Sequence, residues 1–128
     1  MNLHAAIDIP LDYERIEKGV PATTVQALIR KGTIAREDVY RAIPERTFKR
    51  RLATKGKLRV DEADTIARML RISATARWAF ENEADAKSFL DQANPALGNR
   101  IPRVMVVTDA GAREVEAVLF RFVFGDYS

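Results

Sequence analysis

Apolar positions along the chain recur mostly at three- and four-residue spacings, which predicts helices. The first helix is expected over Leu11–Lys18, with Gly19 as its left-handed stop. Pro21 suits the first position of the next, where Val25, Leu28 and Ile29 share one face and Lys31-Gly32 marks the end. Thr33 is placed to cap a third helix over about Ile34–Arg41, with Ala35 and Val39 inward. Ile43-Pro44 interrupts, because a residue before proline avoids the helical well. A fourth helix, Pro44–Ala53, turns Phe48 and Leu52 to the core.

Asp61 reads as the cap of a fifth helix ending near Arg71, with the stripe Ala63, Ile66, Ala67 and Leu70 and with Glu62 and Asp64 against its N-terminal dipole. Separate helices are expected over Ala74–Phe80 and Ala84–Ala93, the latter burying Ala86, Phe89, Leu90 and Ala93. Asn94-Pro95 and Leu97-Gly98-Asn99 are turn chemistry, and Pro102–Val107 fits a strand or a short helix. A long helix closes the pattern over Asp109–Phe124, capped by Thr108 and stopped by Gly125. The fold class is all-α, with a boundary at Ser73 that gives domains 1–73 and 74–128, expected to pack together.

The 128 residues include no cysteine and one histidine, His4, so disulfides, thiolate catalysis, zinc ribbons, iron–sulfur ligation and a His-rich metal site are excluded. No apolar run nears the length of a membrane span, and the first residues lack the basic and apolar regions of a signal peptide. A cytoplasmic protein with no membrane association is expected. HExxH, GxSxG, Walker and GxGxxG patterns are missing, and Glu114 and Glu116 point apart on their helix, so no enzyme and no cofactor is expected.

Charge is concentrated rather than large. The net charge is +3, yet residues 46–59 carry seven cations (Arg46, Lys49, Arg50, Arg51, Lys55, Lys57 and Arg59) and no acid. The rest of the chain is therefore net acidic. Two short helices joined at Ala42-Ile43-Pro44 form a helix-turn-helix pattern. On the second, Phe48, Leu52 and the aliphatic stem of Arg51 share one side, Arg46, Thr47 and Arg50 the other, with Lys49 and the Arg51 head at the flanks. That division suits a recognition helix, which needs an apolar face to be held and a donor face for base edges. Lys55, Lys57 and Arg59 follow where they can grip phosphates. A solvated basic helix is the plain alternative. Ala42 stands where many such turns carry Gly, which implies a costly left-handed residue.

On the last helix, Val115, Val118, Leu119, Phe122 and Val123 form a core stripe, while Phe120 and Phe124 lie opposite beside Arg113. Two aromatics off the stripe point to a second buried face, against a partner, in a homodimer or within one monomer. Asn94, Asn99 and Arg100 fit either loop construction or the polar rim of a contact. Trp78 fits the core between the halves. Tyr127, in an acidic aromatic tail, can reach a neighbouring pocket.

The run Ile43-Pro44-Glu45-Arg46-Thr47-Phe48-Lys49-Arg50-Arg51 with Leu58–Leu70 resembles the Xre-like helix-turn-helix of the Xre/MbcA/ParS antitoxins. The ordered set Ala76, Phe80, Ala86, Phe89-Leu90, Asn94-Pro95, Leu97-Gly98, Pro102, Thr108, Gly111, Val115, Leu119 and Gly125 resembles their C-terminal toxin-binding domain. The likeness covers about residues 20–128. Phe89-Leu90 stands where the family often has Trp-Leu, and Asn99 where a second Gly often follows. The resemblance implies an antitoxin whose partner is a RES-domain toxin acting on NAD⁺, neutralised by obstruction of its pocket. It also implies binding to operator DNA and repression of the operon. A homodimer is expected because such regulators read paired half-sites. A helix-turn-helix regulator without a toxin is the alternative.

Overall fold

The computed structural model describes residues 11–125, and these are helical with no strand among them. They divide into two compact units that meet along the chain between Leu70 and Arg71. His4 and Tyr127 lie outside the described residues.

The first unit holds α1 (Tyr13–Lys18), α2 (Ala22–Arg30), α3 (Arg36–Ala42), α4 (Glu45–Thr54) and the opening turns of α5 (Val60–Phe80). Asp12 caps α1 through the amide of Arg15, and Gly19 stops it at φ 98°. Val25, Val39, Ile43, Phe48 and Ile66 are fully buried, and α2 packs against α4. The chain entering α2 is pinned to the chain leaving α4. The amide of Leu58 donates to Val20 and that of Ala22 to Gly56, at 2.8 and 2.9 Å.

Several expectations change here. Ala35, not Thr33, is the N-cap of α3, and it is exposed; Ile34 is the buried residue beside it. With Ile34 taken into the core, the helix starts two residues later than expected, and Glu37 and Asp38 complement its dipole. Asp61 does not cap α5. The Glu62 carboxylate reaches back to accept the Arg59 amide at 2.8 Å, as the third residue of a capping box does, so Asp61 falls inside the first turn.

The second unit contains the rest of α5, α6 (Glu83–Asp91), a 3₁₀ turn (Pro95–Leu97), α7 (Pro102–Met105) and α8 (Asp109–Phe124). No helix ends at Ser73, since α5 runs unbroken from Val60 to Phe80. Neither Gly nor Pro interrupts it. Thr75 satisfies its hydroxyl on the Arg71 carbonyl one turn back, so its buried side chain costs no hydrogen bond. The Val-rich run resolves as the short helix α7, opened by buried Pro102.

α6 packs against α7, and α7 against α8. The chains of α7 and α8 approach closely at Gly111, where an added Cβ would lie 2.0 Å from the Met105 carbonyl oxygen. Thr108 caps α8 through the Gly111 amide. Ala93, expected inside, is exposed because α6 ends at Asp91.

Candidate functional site

The turn between α3 and α4 is built without a left-handed residue. Ala42 closes α3, Ile43 is extended at φ −138°, and Pro44 follows at φ −52° and ψ 140°, so both have negative φ. Ile43 is fully buried and serves as the hinge pin, so the Gly that the sequence seemed to lack is not needed. Phe48 is buried beneath α4, with Tyr40 edge-on at 6.3 Å.

That anchoring fixes which cations face outward. Arg46, Lys49 and Arg50 are exposed and Thr47 is half-buried. Arg51 differs: its side chain is 15% exposed and its guanidinium donates to Glu62, itself 5% exposed. The helical wheel put its head at the flank of the donor face; folding turns it onto α5, where it joins the two helices. Lys49 pairs with Glu45 one turn back at 3.1 Å. Arg59 forms a two-pronged contact with Asp61, at 2.8 and 3.0 Å. The hydrogen bond from Arg59 holds the Asp61 carboxyl below the usual carboxylate range, and the same contact raises Arg59. The acid-free run is thus bounded by acids that fold back on it.

Arg46, Arg50, Lys55 and Lys57 remain without an acidic partner among the described residues. Two lie on the outer face of α4 and two in the loop after it. Lys55 holds the left-handed position that ends α4, at φ 57°. Its amide donates to Leu52 and the Gly56 amide to Arg51, a Schellman closure normally given to glycine. Lysine at that position carries a backbone cost of about 1 kcal/mol.

The second unit has an aromatic end. Trp78 packs against Phe120 and Phe124, at centroid distances of 6.3 and 5.9 Å. Phe80 stacks on Phe122 at 4.5 Å and touches Phe89 at 5.5 Å. The predicted core stripe of α8 holds only over its first half. Val115 and Leu119 are buried and Val118 half-buried, whereas Phe122 is 59%, Val123 37% and Phe124 48% exposed. The helix outruns the elements that cover it.

Phe80, Phe89 and Phe122 wall an open groove of about 490 Å³, rimmed by Asp85, Ser88, Gln92 and Asn94. Asn94 also builds the adjoining loop, its carboxamide capping the 3₁₀ turn through Ala96 and its backbone pairing with Arg100. Asn99 is exposed at φ 61°, Arg100 is exposed, and Arg113 is tied to Asp109 at 2.8 Å.

The domain models match this division. Residues 13–71 match the antitoxin Xre-like helix-turn-helix domain, and residues 74–125 the antitoxin Xre/MbcA/ParS C-terminal toxin-binding domain. An Antitoxin Xre of Pseudomonas putida is 32% identical over 96% of this chain and 81% of its own length. An Antitoxin Xre of Photorhabdus laumondii is 30% identical, covering 86% and 76%, and one of Yersinia enterocolitica 26% identical, covering 90% and 80%. The chain belongs to the Xre antitoxin family. That places it among binding and regulatory proteins, not enzymes. Among the described residues no helix is long and apolar enough to cross a membrane.

Within this Xre antitoxin the sequence reading found the cation face but not its partition into paired and free charges. Phe120 and Phe124, read as a second buried face against a partner, in a homodimer or within one monomer, pack against Trp78, and the groove walled by Phe80, Phe89 and Phe122 was not foreseen. The signal for the groove was present: Phe89 and Phe122 follow Phe80 on elements that a bundle can bring together, but Phe122 was assigned to the core. Trp78, expected between the halves, packs on α8 within its own unit.

Proposed function

We propose that this chain is the antitoxin of a type II toxin–antitoxin pair whose second unit binds a RES-domain toxin and obstructs its NAD⁺ pocket, while its first unit binds operator DNA and represses the operon. The observation that carries the DNA half is the set of four unpaired cations on and just after α4, held outward by buried Phe48. Arg46 and Arg50 are placed for base edges, where a planar guanidinium pairs with guanine in bidentate form. Lys55 and Lys57 are placed for phosphates. The non-glycine residue at the end of α4 supports this: a cation is kept there despite a backbone geometry that favours glycine. Lys49 and Arg59 are partly neutralised by Glu45 and Asp61 and so offer weaker phosphate contacts, and Arg51 acts by holding α4 to α5.

The toxin half rests on the domain matched at residues 74–125 and on the aromatic end of that unit. Phe120, Phe124, Asn94, Asn99, Arg100, Arg113 and Tyr127 are its proposed contact residues. The antitoxin acts as a homodimer, since paired half-sites call for two recognition helices.

Co-expression tests both halves. Cells producing the RES-domain protein of the same operon should lose NAD⁺ and stop growing, and this chain should restore both. In gel shifts it should retard a duplex from its own promoter. Retardation without rescue would instead favour a helix-turn-helix regulator without a toxin.

A further inference from the structure

We propose that the groove between Phe80, Phe89 and Phe122 is the socket in which the toxin seats one apolar side chain, with a basic residue of the same toxin segment against Asp85. This rests on the toxin-neutralising reading above and gives it a place.

Four features of the groove converge. Phe122 is 59% exposed although it stacks on Phe80 at 4.5 Å, so a large apolar surface is held in fixed geometry and left wet. Ordered aromatics of this kind make strong anchors, because little side-chain entropy remains to be lost on contact. The groove, at about 490 Å³, is large enough for a leucine- or phenylalanine-sized group and the backbone that carries it.

Its rim holds unused hydrogen-bonding capacity. The Ser88 hydroxyl and the Gln92 carboxamide bond to nothing among the described residues, and they can meet the partner's backbone. Asp85 is the charged residue among its lining. Glu81, Glu83 and Asp85 follow Phe80 directly along the chain; all three are exposed, and none forms an ion pair among the described residues. An apolar side chain flanked by Lys or Arg is the complement of such a site. Every lining residue lies within the segment matched to the toxin-binding domain, which selects a toxin as the occupant over other apolar partners.

The test is a titration of the full-length antitoxin with the purified toxin of its operon, by calorimetry. Phe122→Asp changes an exposed residue and should weaken binding at least about thirtyfold, the size of a central anchor. Ser88→Trp fills the groove from its rim and should do the same. Asp85→Lys should weaken binding by about five- to tenfold and flatten its dependence on salt. All three should keep the wild-type far-UV spectrum and the wild-type affinity for promoter DNA.

If the wild type binds and the folded variants Phe122→Asp and Ser88→Trp stay within twofold of it, the groove is not the socket, while the antitoxin reading stands. If Phe122→Asp changes only the oligomeric state, the groove is a seam between copies and the proposal is overturned. If the wild type itself neither binds nor neutralises the toxin, it is the functional reading that fails.

Discussion

Two neighbouring arginines on one helix should fail in opposite ways. Arg50 is exposed and unpaired, so Arg50→Ala should change stability by less than about 0.5 kcal/mol. Its effect should fall on DNA, with a loss of about 1–3 kcal/mol in affinity for a promoter duplex if it reads a base. Arg51 donates to a carboxylate that is 5% exposed and is itself 15% exposed. Removing it leaves the Glu62 carboxylate buried with only the Arg59 amide as partner. Breaking a buried pair from one side costs about 3–5 kcal/mol. The lower end applies here, because that amide still holds one carboxylate oxygen. A loss of about 3 kcal/mol is a large share of the 5–15 kcal/mol typical of a domain. Urea unfolding followed by far-UV circular dichroism measures it. Fluorescence is the wrong probe, because Trp78 belongs to the other unit. The double change Arg51→Met with Glu62→Leu should recover most of the loss, since replacing both charges removes the orphan. If Arg51→Ala melts like wild type and loses DNA as Arg50→Ala does, the partition of the cations into a tie and a reading face is wrong.

Other consequences can be checked as directly. With Lys55 and Lys57 on phosphates, log affinity against log salt should have a slope of about −1.8 per chain, steeper if Arg46 or Arg50 also reaches a phosphate, and a flat response would remove the polyanion site. Lys55→Gly should raise the urea midpoint by the equivalent of about 1 kcal/mol and weaken promoter binding together, because glycine suits φ 57° and carries no charge. Gly111→Ala should cost at least about 2–3 kcal/mol by Trp78 fluorescence, since its Cβ would meet the Met105 carbonyl oxygen at 2.0 Å and force α8 off α7. For Asp91, burial pushes the carboxyl up, but hydrogen bonds from Lys87 and Arg103 outweigh it and hold it below its ordinary value. A depressed carboxyl stabilises the fold above its unfolded pKa, about 3.9, and that contribution is lost as pH falls below it. Asp91→Asn should therefore lower the melting temperature at pH 7, and the difference from wild type should shrink as the pH is taken below about 3.9.

What could be read in the sequence follows from how local each signal is. Most helices, the division of α4 between Phe48 and the Arg46–Arg50 face, and the caps Thr108 and Gly125 depend on spacing within a few residues, and they carried through; the break expected at Ser73 and the placing of the Arg51 head did not. The charge run was misjudged for the converse reason. Counting acids inside 46–59 finds none, but Glu45, Asp61 and Glu62 stand just outside, and helical spacing and the α4–α5 packing bring them onto Lys49, Arg59 and Arg51. A linear window cannot see a partner eleven residues away, although Glu45–Lys49 was legible as an i, i+4 pair. The Ala42 problem was likewise one of scale. A glycine is demanded only if the turn goes left-handed, and burial of Ile43, a tertiary fact, selects an extended turn.

The end of α8 shows what periodicity alone leaves out. A stripe at i, i+3, i+4, i+7, i+8 says which residues share an azimuth, not how far along the axis a neighbour continues. α7 is four residues long and its Met105 meets α8 at Gly111, near the start; Val115 and Leu119 are buried while Phe122 and Val123, on the same azimuth, are exposed. The apolar stripe therefore changes role along its length, from core to exposed surface. Phe80 and Phe89 flank Phe122 and leave its outer side open, and that opening is what a partner could close.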